Sequence, residues 1–289
     1  MFSSLRVAVI KAGARALALS PERLNVAVAE AVAGRRPRRS PAVTHLSRNL
    51  ATVLGTPLSP EELDDWVTRG LRSYARYWAE TFKLTSLSEE ERTRRFCISE
   101  GREYLEDAAA EGRGVIVGLP HVGNWDWGGA FISSVGLPMT VVAERLEPEE
   151  MFDFFTAQRR AVGVEVVGLD ERASGALSEV LRRGGVVGLL CDRDIQGNGI
   201  EVEFFSRRVT VPAGPATLAL RTGAALLPAA CYLGPGRDHF AAVGPPLDTT
   251  RRGRLRDDVA RVTQELTHEL EDLIRRAPDQ WHVLEDRFA

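Results

Sequence analysis

Apolar residues recur at three- and four-residue spacing along the first 112 residues, which is the pattern of helices that bury one face. Turns rich in proline and glycine separate these segments. One segment begins with Ser59, Pro60, Glu61 and Glu62, which predicts a helix start, because serine caps the first turn and acidic side chains interact favourably with the helix dipole. The predicted helices lie near residues 3–18, 22–33, 41–54, 60–82 and 100–111.

The pattern changes from residue 113 onward. Short β-rich runs alternate with helical stretches, which indicates βαβ crossovers in a mostly parallel sheet. We predict one α/β domain over residues 1–289, in which a helical part (1–112) is layered on a core (113–289) with a mostly parallel central sheet flanked by helices. The strands are GVIVGL, MTVVAE, VEVVGL and GVVGLLC, then 201–205, 225–233 and 239–243; the helices lie near 124–136, 148–162, 171–183, 213–223 and 252–276.

Charge and cysteine content exclude several classes of protein. The 37 basic and 40 acidic residues give a formal net charge of −3, which argues against a nucleic-acid binder that relies on bulk charge. Cys97, Cys191 and Cys231 are widely spaced and form no CxxC pair, so we expect neither a disulfide framework nor a metal site. No run reaches the roughly 18–20 uncharged apolar residues of a membrane span.

Two cationic segments suit the surface of a membrane. The first acidic residue is Glu22, so the segment before it combines apolar residues with cations alone. A helix of this kind can lie on an anionic membrane surface, although a helix packed on the domain explains the pattern equally well. The arginine cluster that follows likewise suits either anionic lipid or a solvated turn. Its members are Arg35, Arg36, Arg38 and Arg39.

The stretch GVIVGLPHVGNWDWGGAF (114–131) places polar residues where an apolar strand ends and a helix begins. Ligands of parallel sheets bind beyond the carboxyl ends of the strands, and His121 lies at that point. We expect Asp126 to hold one ring nitrogen of His121, so that the other acts as a general base. No serine or cysteine lies beside His121 and GxSxG is absent, which favours direct transfer to a substrate hydroxyl. A buried histidine with Asp126 as a helix cap is the alternative.

Several segments resemble one enzyme family. The motif resembles the His-x4-Asp/Glu motif of glycerolipid acyltransferases, and HVGNWDWGG is most similar to the form in the lipid A lauroyl acyltransferase family, which includes the actinobacterial phosphatidylinositol mannoside acyltransferases. Phe204-Phe205-Ser206 stands where the family has Phe-Phe-Gly. The absence of a membrane span and the triplet DRD favour the mannoside branch. The other similar segments are SRNLATVLG (47–55), RRAVG (159–163), the block 188–228 and QWHVLEDRF (280–288).

The resemblance implies an activity. A fatty acyl chain passes from acyl-CoA, as co-substrate without a further cofactor, to a mannose hydroxyl of an anionic phosphatidylinositol mannoside. The enzyme is expected to be peripheral, on the cytoplasmic face of the plasma membrane. Three alternatives stay open: acylation of another glycolipid or lysophospholipid, an acyl thioesterase, and a non-catalytic lipid-binding module.

The resemblance also implies roles for polar residues. His121 is the base, and an acidic residue from the block near 188–205 approaches it. We favour Glu201 for this role, although an exposed charge on an edge strand explains it equally well. Its competitors are Asp192 and Asp194. The candidates for substrate binding are Asn124 at the oxyanion, Arg159 and Arg145 at phosphate, and Asp192 and Asp194; structural roles are assigned to His45, His239, His268 and His282.

Overall fold

A computed structural model describes residues 2–35 and 40–288. Its helical N-terminal part confirms the periodicity, and Ser59 and Glu62 form the reciprocal capping pair that begins the longest helix of this part. A strand among these helices was not predicted. Arg36, Arg38 and Arg39 of the arginine cluster lie outside the described residues. The elements are α1 (Phe2–Leu19), α2 (Glu22–Ala33), α3 (Pro41–Leu54), α4 (Pro60–Leu84), α5 (Glu89–Arg94), β1 (Phe96–Glu100) and α6 (Arg102–Ala110).

The rest of the described chain alternates strands and helices as the sequence predicts, apart from the strand Arg207–Val211, which was not predicted. Two strands, β6 and β7 in the list below, form a separate antiparallel hairpin. The elements are β2 (Val115–Leu119), α7 (Trp125–Ser134), β3 (Met139–Ala143), α8 (Glu149–Arg160), β4 (Val164–Gly168), α9 (Ala173–Arg182), β5 (Val186–Leu190), β6 (Ile200–Phe204), β7 (Arg207–Val211), α10 (Gly214–Thr222), β8 (Ala225–Leu233), β9 (His239–Val243), α11 (Leu255–Arg275) and a 3₁₀ turn (Pro278–Gln280).

Among the described residues, seven strands form one sheet in the order β1-β9-β8-β2-β5-β3-β4. Neighbouring strands are parallel except for the antiparallel pair β8 and β9. The fold is therefore the mostly parallel α/β architecture that the sequence predicts. The strand β1 forms one edge of the sheet by pairing with β9. Because β9 lies far along the chain from β1, the local sequence pattern does not predict this strand.

Both faces of the sheet are covered, as parallel sheets require. All five residues of β2 are buried. Successive side chains of a strand point to opposite faces, so Ile116 packs with the cluster around α11 while Val115 and Val117 pack with Trp127 of α7. The strand lies between β8 and β5, and its carboxyl end therefore opens at the middle of the sheet edge.

The N-terminal helices pack beside that edge. Leu46 and Leu50 of α3 are buried against Leu71 of α4. The Asn49 side chain donates hydrogen bonds to the carbonyl oxygens of Val283 and Glu285, so the C-terminal tail is held on this layer. The layer thus contributes one wall of the space beyond β2. Across the described residues, no helix is both long enough and apolar enough to cross a bilayer.

Candidate active site

The turn after β2 brings His121 to the sheet edge. Gly123 has a φ of 59°, and a Cβ there would lie 1.9 Å from the carbonyl oxygen of Cys231. Only glycine therefore lets this turn lie so close to β8. The Asn124 side chain then accepts a hydrogen bond from the backbone N–H of Trp127 and caps α7. Asn124 is fully buried, and a role at an oxyanion stays a prediction.

Asp192 holds His121. Its Oδ1 lies 2.6 Å from His121 Nδ1, and its Oδ2 accepts hydrogen bonds from the His121 backbone N–H at 2.9 Å and from Trp281 Nε1 at 2.7 Å. The parallel register of β2 and β5 explains why His121 and Asp192 lie side by side. Leu119 of β2 is paired with Leu190 of β5, and His121 and Asp192 each follow two residues later.

The charge on Asp192 is favoured despite complete burial. Burial raises the pKa of this carboxyl, but the charge of His121 and hydrogen bonds from His121 and Trp281 lower it to about 2. An ionised carboxylate only accepts, so Nδ1 is the nitrogen that carries a proton toward Asp192, and in the neutral imidazole the lone pair is on Nε2. The pair therefore has the arrangement that a histidine base needs, with a buried carboxylate placed to stabilise an imidazolium.

The expectation that Asp126 holds His121 is wrong. Tyr77 of α4 donates to Asp126 Oδ2 at 2.8 Å, and Arg159 of α8 donates to Oδ1 at 2.7 Å. Because α7 already begins at Trp125, the next side chain is directed between α4 and α8. The Trp125 ring instead lies edge-on to His121, with 5.2 Å between ring centroids. The helix-cap alternative fails as well, since Asn124 is the cap.

The Asp126 network is itself charged and buried. Burial alone would lower the pKa of Arg159, but the Asp126 carboxylate beside it raises it. Burial, followed by the charge of Asp126, raises the pKa of Tyr77 well above its ordinary value. Tyr77 therefore stays a neutral donor and Arg159 a cation. Since both also border the cavity described below, they bring a hydroxyl and a guanidinium to its wall.

The choice of Glu201 as the acidic partner of His121 is also wrong. Glu201 is exposed on the β6–β7 hairpin, and its nearest cation is Arg208 at 3.6 Å. The hairpin is not part of the main sheet, so closeness in sequence to Asp192 does not bring Glu201 to the sheet edge. The competitor Asp192 takes the position because it directly follows β5.

The other predicted polar residues lie in different surroundings. Asp194 borders the cavity and accepts hydrogen bonds from the backbone N–H groups of Gly197 and Gly199. Arg145 is exposed and paired with Asp170 at 2.8 Å. Their roles in substrate binding stay predictions. Within the described part of the chain, no group of His, Cys, Asp and Glu side chains is placed to hold a metal ion.

A cavity of about 580 Å³ lies beyond the carboxyl ends of β2 and β5. Its polar wall includes His121 and Arg159, and His121 Nε2 donates to and accepts from no described side chain. Much of the remaining wall is apolar. Such a cavity suits a substrate that has both an alkyl chain and a polar group beside the base. The apolar wall includes Val142, Leu177, Leu189, Leu190 and Leu218.

Two residues of the C-terminal tail lie at the site, although the sequence assigned no role to Trp281 and only a structural role to His282. Trp281 donates to Asp192, as described above. His282 borders the cavity; its backbone N–H donates to the His121 carbonyl at 2.7 Å, and its Nε2 lies 2.8 Å from Ser73 Oγ. Burial, together with the charge of His121, lowers the pKa of His282 to about 3, so it is neutral. The only signal in the sequence was the resemblance of QWHVLEDRF to a family ending.

Comparison with known proteins identifies the family of the chain. Residues 4–289 match the family model described as bacterial lipid A biosynthesis acyltransferase. A phosphatidylinositol mannoside acyltransferase of Mycobacterium tuberculosis is 39% identical over 247 residues, which cover 84% of this chain and 76% of that protein. The protein of the same name from Mycolicibacterium smegmatis is 35% identical over 284 residues, 96% of this chain and 89% of the relative. A chain with this match and this site belongs to the bacterial lipid A biosynthesis acyltransferase family.

Proposed function

We propose that this acyltransferase moves a fatty acyl chain from acyl-CoA to a mannose hydroxyl of a phosphatidylinositol mannoside. The observation that carries the proposal is the Asp192–His121 pair, whose free Nε2 faces a cavity with an apolar wall. The acceptor is inferred from the activity named for two relatives that are 39% and 35% identical. Acyl-CoA is a co-substrate, and the proposed chemistry needs no metal or further cofactor.

The proposed reaction is one acyl transfer. His121 Nε2 takes the proton of the mannose hydroxyl as its oxygen attacks the thioester carbonyl carbon. The tetrahedral oxyanion collapses, the C–S bond breaks, and the sulfur of CoA leaves with the proton from Nε2. Asp192 stabilises the imidazolium between these steps, as the buried aspartate does in a Ser-His-Asp triad.

The proposed location is the cytoplasmic face of the plasma membrane. Leu24, Val28 and Val32 follow one another at four-residue spacing on α2 and are 57%, 52% and 63% exposed. On α1, Leu19 is 87% exposed. A solvent-exposed apolar stripe of this kind is typical of helices that lie on a membrane surface. This stripe supports peripheral attachment.

The test is transfer by the purified enzyme. Palmitoyl-CoA is incubated with and without a phosphatidylinositol mannoside, thiol release is followed, and products are identified by mass spectrometry. We expect slow thioester hydrolysis alone and fast formation of the acylated mannoside when the acceptor is present. His121→Ala should lower the transfer rate by roughly 10²–10⁴, the usual contribution of a general base. Fast hydrolysis that is indifferent to the acceptor would identify a thioesterase instead.

A further inference from the structure

A second apolar recess lies beside the catalytic cavity. It is a groove of about 870 Å³ between α1 and the segment that leads into α8. Ile10 and Val7 of α1 form one wall, and Met151 of α8 belongs to the opposite wall. Its polar lining consists of Arg145, Glu147 and Glu149, all of which are exposed to solvent. An alkyl chain in this groove would contact the apolar walls while the charged groups stay in water.

The groove adjoins the catalytic cavity. Leu146 and Phe152 border both spaces. The wall formed by α1 is held in place at two points. Lys11 Nζ lies 6.0 Å from the centre of the Phe154 ring, and Lys83 of α4 donates to the carbonyl oxygen of Ala18 at 2.5 Å. A molecule whose reacting group lies at His121 can therefore extend across these two residues into the groove.

We propose that the groove binds one acyl chain of the acceptor glycerophospholipid while its sugar headgroup lies at His121. This inference rests on the proposed function. Two observations favour the acceptor over the donor. The cavity already has an apolar wall for the donor chain, beside the base where the thioester must react. The groove is bounded by α1, which exposes the apolar side chains of Val9 (62%) and Leu19 (87%) and is proposed to meet the bilayer, where the acceptor chains are.

The assay uses acceptors that are dispersed as single molecules, so that no bilayer contributes. A series of phosphatidylinositol mannosides with short, lengthening acyl chains is compared with the deacylated headgroup. Each methylene that enters the groove should raise kcat/KM for the acceptor by up to about fourfold. Ile10→Asn should flatten this dependence on chain length and leave kcat/KM for the deacylated headgroup unchanged. Met151→Gln should do the same from the opposite wall.

Val9→Asn is the matched control, because Val9 neighbours Ile10 on α1 but does not border the groove. It should keep the wild-type dependence on chain length. A second series varies the donor chain, and neither groove variant should change how kcat/KM for acyl-CoA depends on its length.

Four results would overturn the inference. The first is an unchanged slope for the acceptor series in both Ile10→Asn and Met151→Gln, with circular dichroism showing folded proteins. The second is an equal loss in Val9→Asn, which would make α1 a general apolar surface. The third is a flattened slope for the donor series, which would assign the groove to acyl-CoA. The fourth, no transfer by the wild-type enzyme to any mannoside, would refute the proposed function and this inference with it.

Discussion

Replacing Asp192 by asparagine tests how His121 is held. The aspartate has two accepting oxygens, one for His121 Nδ1–H and one shared by the His121 backbone N–H and Trp281 Nε1–H. Asparagine has the same shape but only one accepting oxygen. In either orientation, the amide therefore cannot accept the hydrogen bonds on one side of the side chain.

Both orientations of the amide are unfavourable. If the amide oxygen faces His121 Nδ1, the amide NH₂ group faces the His121 backbone N–H and Trp281 Nε1–H. All three groups are donors, so none of them has an acceptor on that side. With its oxygen toward the backbone and Trp281, the NH₂ group donates to Nδ1, and the proton of His121 moves to Nε2. The base then has no lone pair in the cavity. We expect kcat to fall by about 10³–10⁴, as for the equivalent substitution in a catalytic triad.

The same substitution should reduce stability. The pKa of Asp192 is about 2 in the folded protein against an ordinary 3.8, so its ionised form contributes about 2 kcal/mol to folding. That contribution is present above pH 3.8 and is lost as the pH falls through about 2. At neutral pH the asparagine variant lacks it, and the free energy of unfolding in urea should fall by a similar amount.

The assay compares Asp192→Asn with Asp194→Asn. Asp194 also borders the cavity, but its carboxylate accepts only from backbone N–H groups of the loop that follows it. Single-turnover transfer from palmitoyl-CoA measures the chemical step in both. A folded Asp192→Asn enzyme with near-wild-type turnover would refute the role of the carboxylate.

Further outcomes concern other residues. Glu201→Gln should leave kcat within about twofold, because the side chain is exposed, and a large loss would restore it as a candidate. Burial raises the pKa of Glu80 to about 7, against opposing effects from Arg76, so the Glu80 carboxyl contributes a fall in the free energy of unfolding as the pH rises from 4.5 to 7. In Glu80→Gln that dependence should shrink by about 3 kcal/mol, measured by urea unfolding at both pH values; an unchanged dependence would contradict it. Val28→Asp should weaken sedimentation with anionic vesicles at low salt, while Thr52→Asp on α3 should not. Equal binding by both variants would count against membrane attachment through the apolar stripe of α2.

Periodicity and local chemistry determined much of the architecture. The three- to four-residue spacing located α3 and α4, and the apolar run before His121 located β2. Both patterns reflect which residues of a single helix or strand are buried, and these lie close together in the sequence. The resemblance correctly placed an acidic residue of the block after residue 188 near His121. It did not distinguish Asp192 from Glu201, because every acid in that block follows or begins a strand.

Only the tertiary structure decided which acid meets the base. Asp192 reaches His121 because β2 and β5 are neighbours with Leu119 opposite Leu190, and strand order is a property of the whole sheet. Asp126 is five residues from His121, yet it bonds to side chains of α4 and α8 that are 49 and 33 residues away. The sequence determined which polar residues are candidates for the chemistry. Long-range packing determined which of them touch, since a hydrogen bond depends on positions in space that no local pattern encodes.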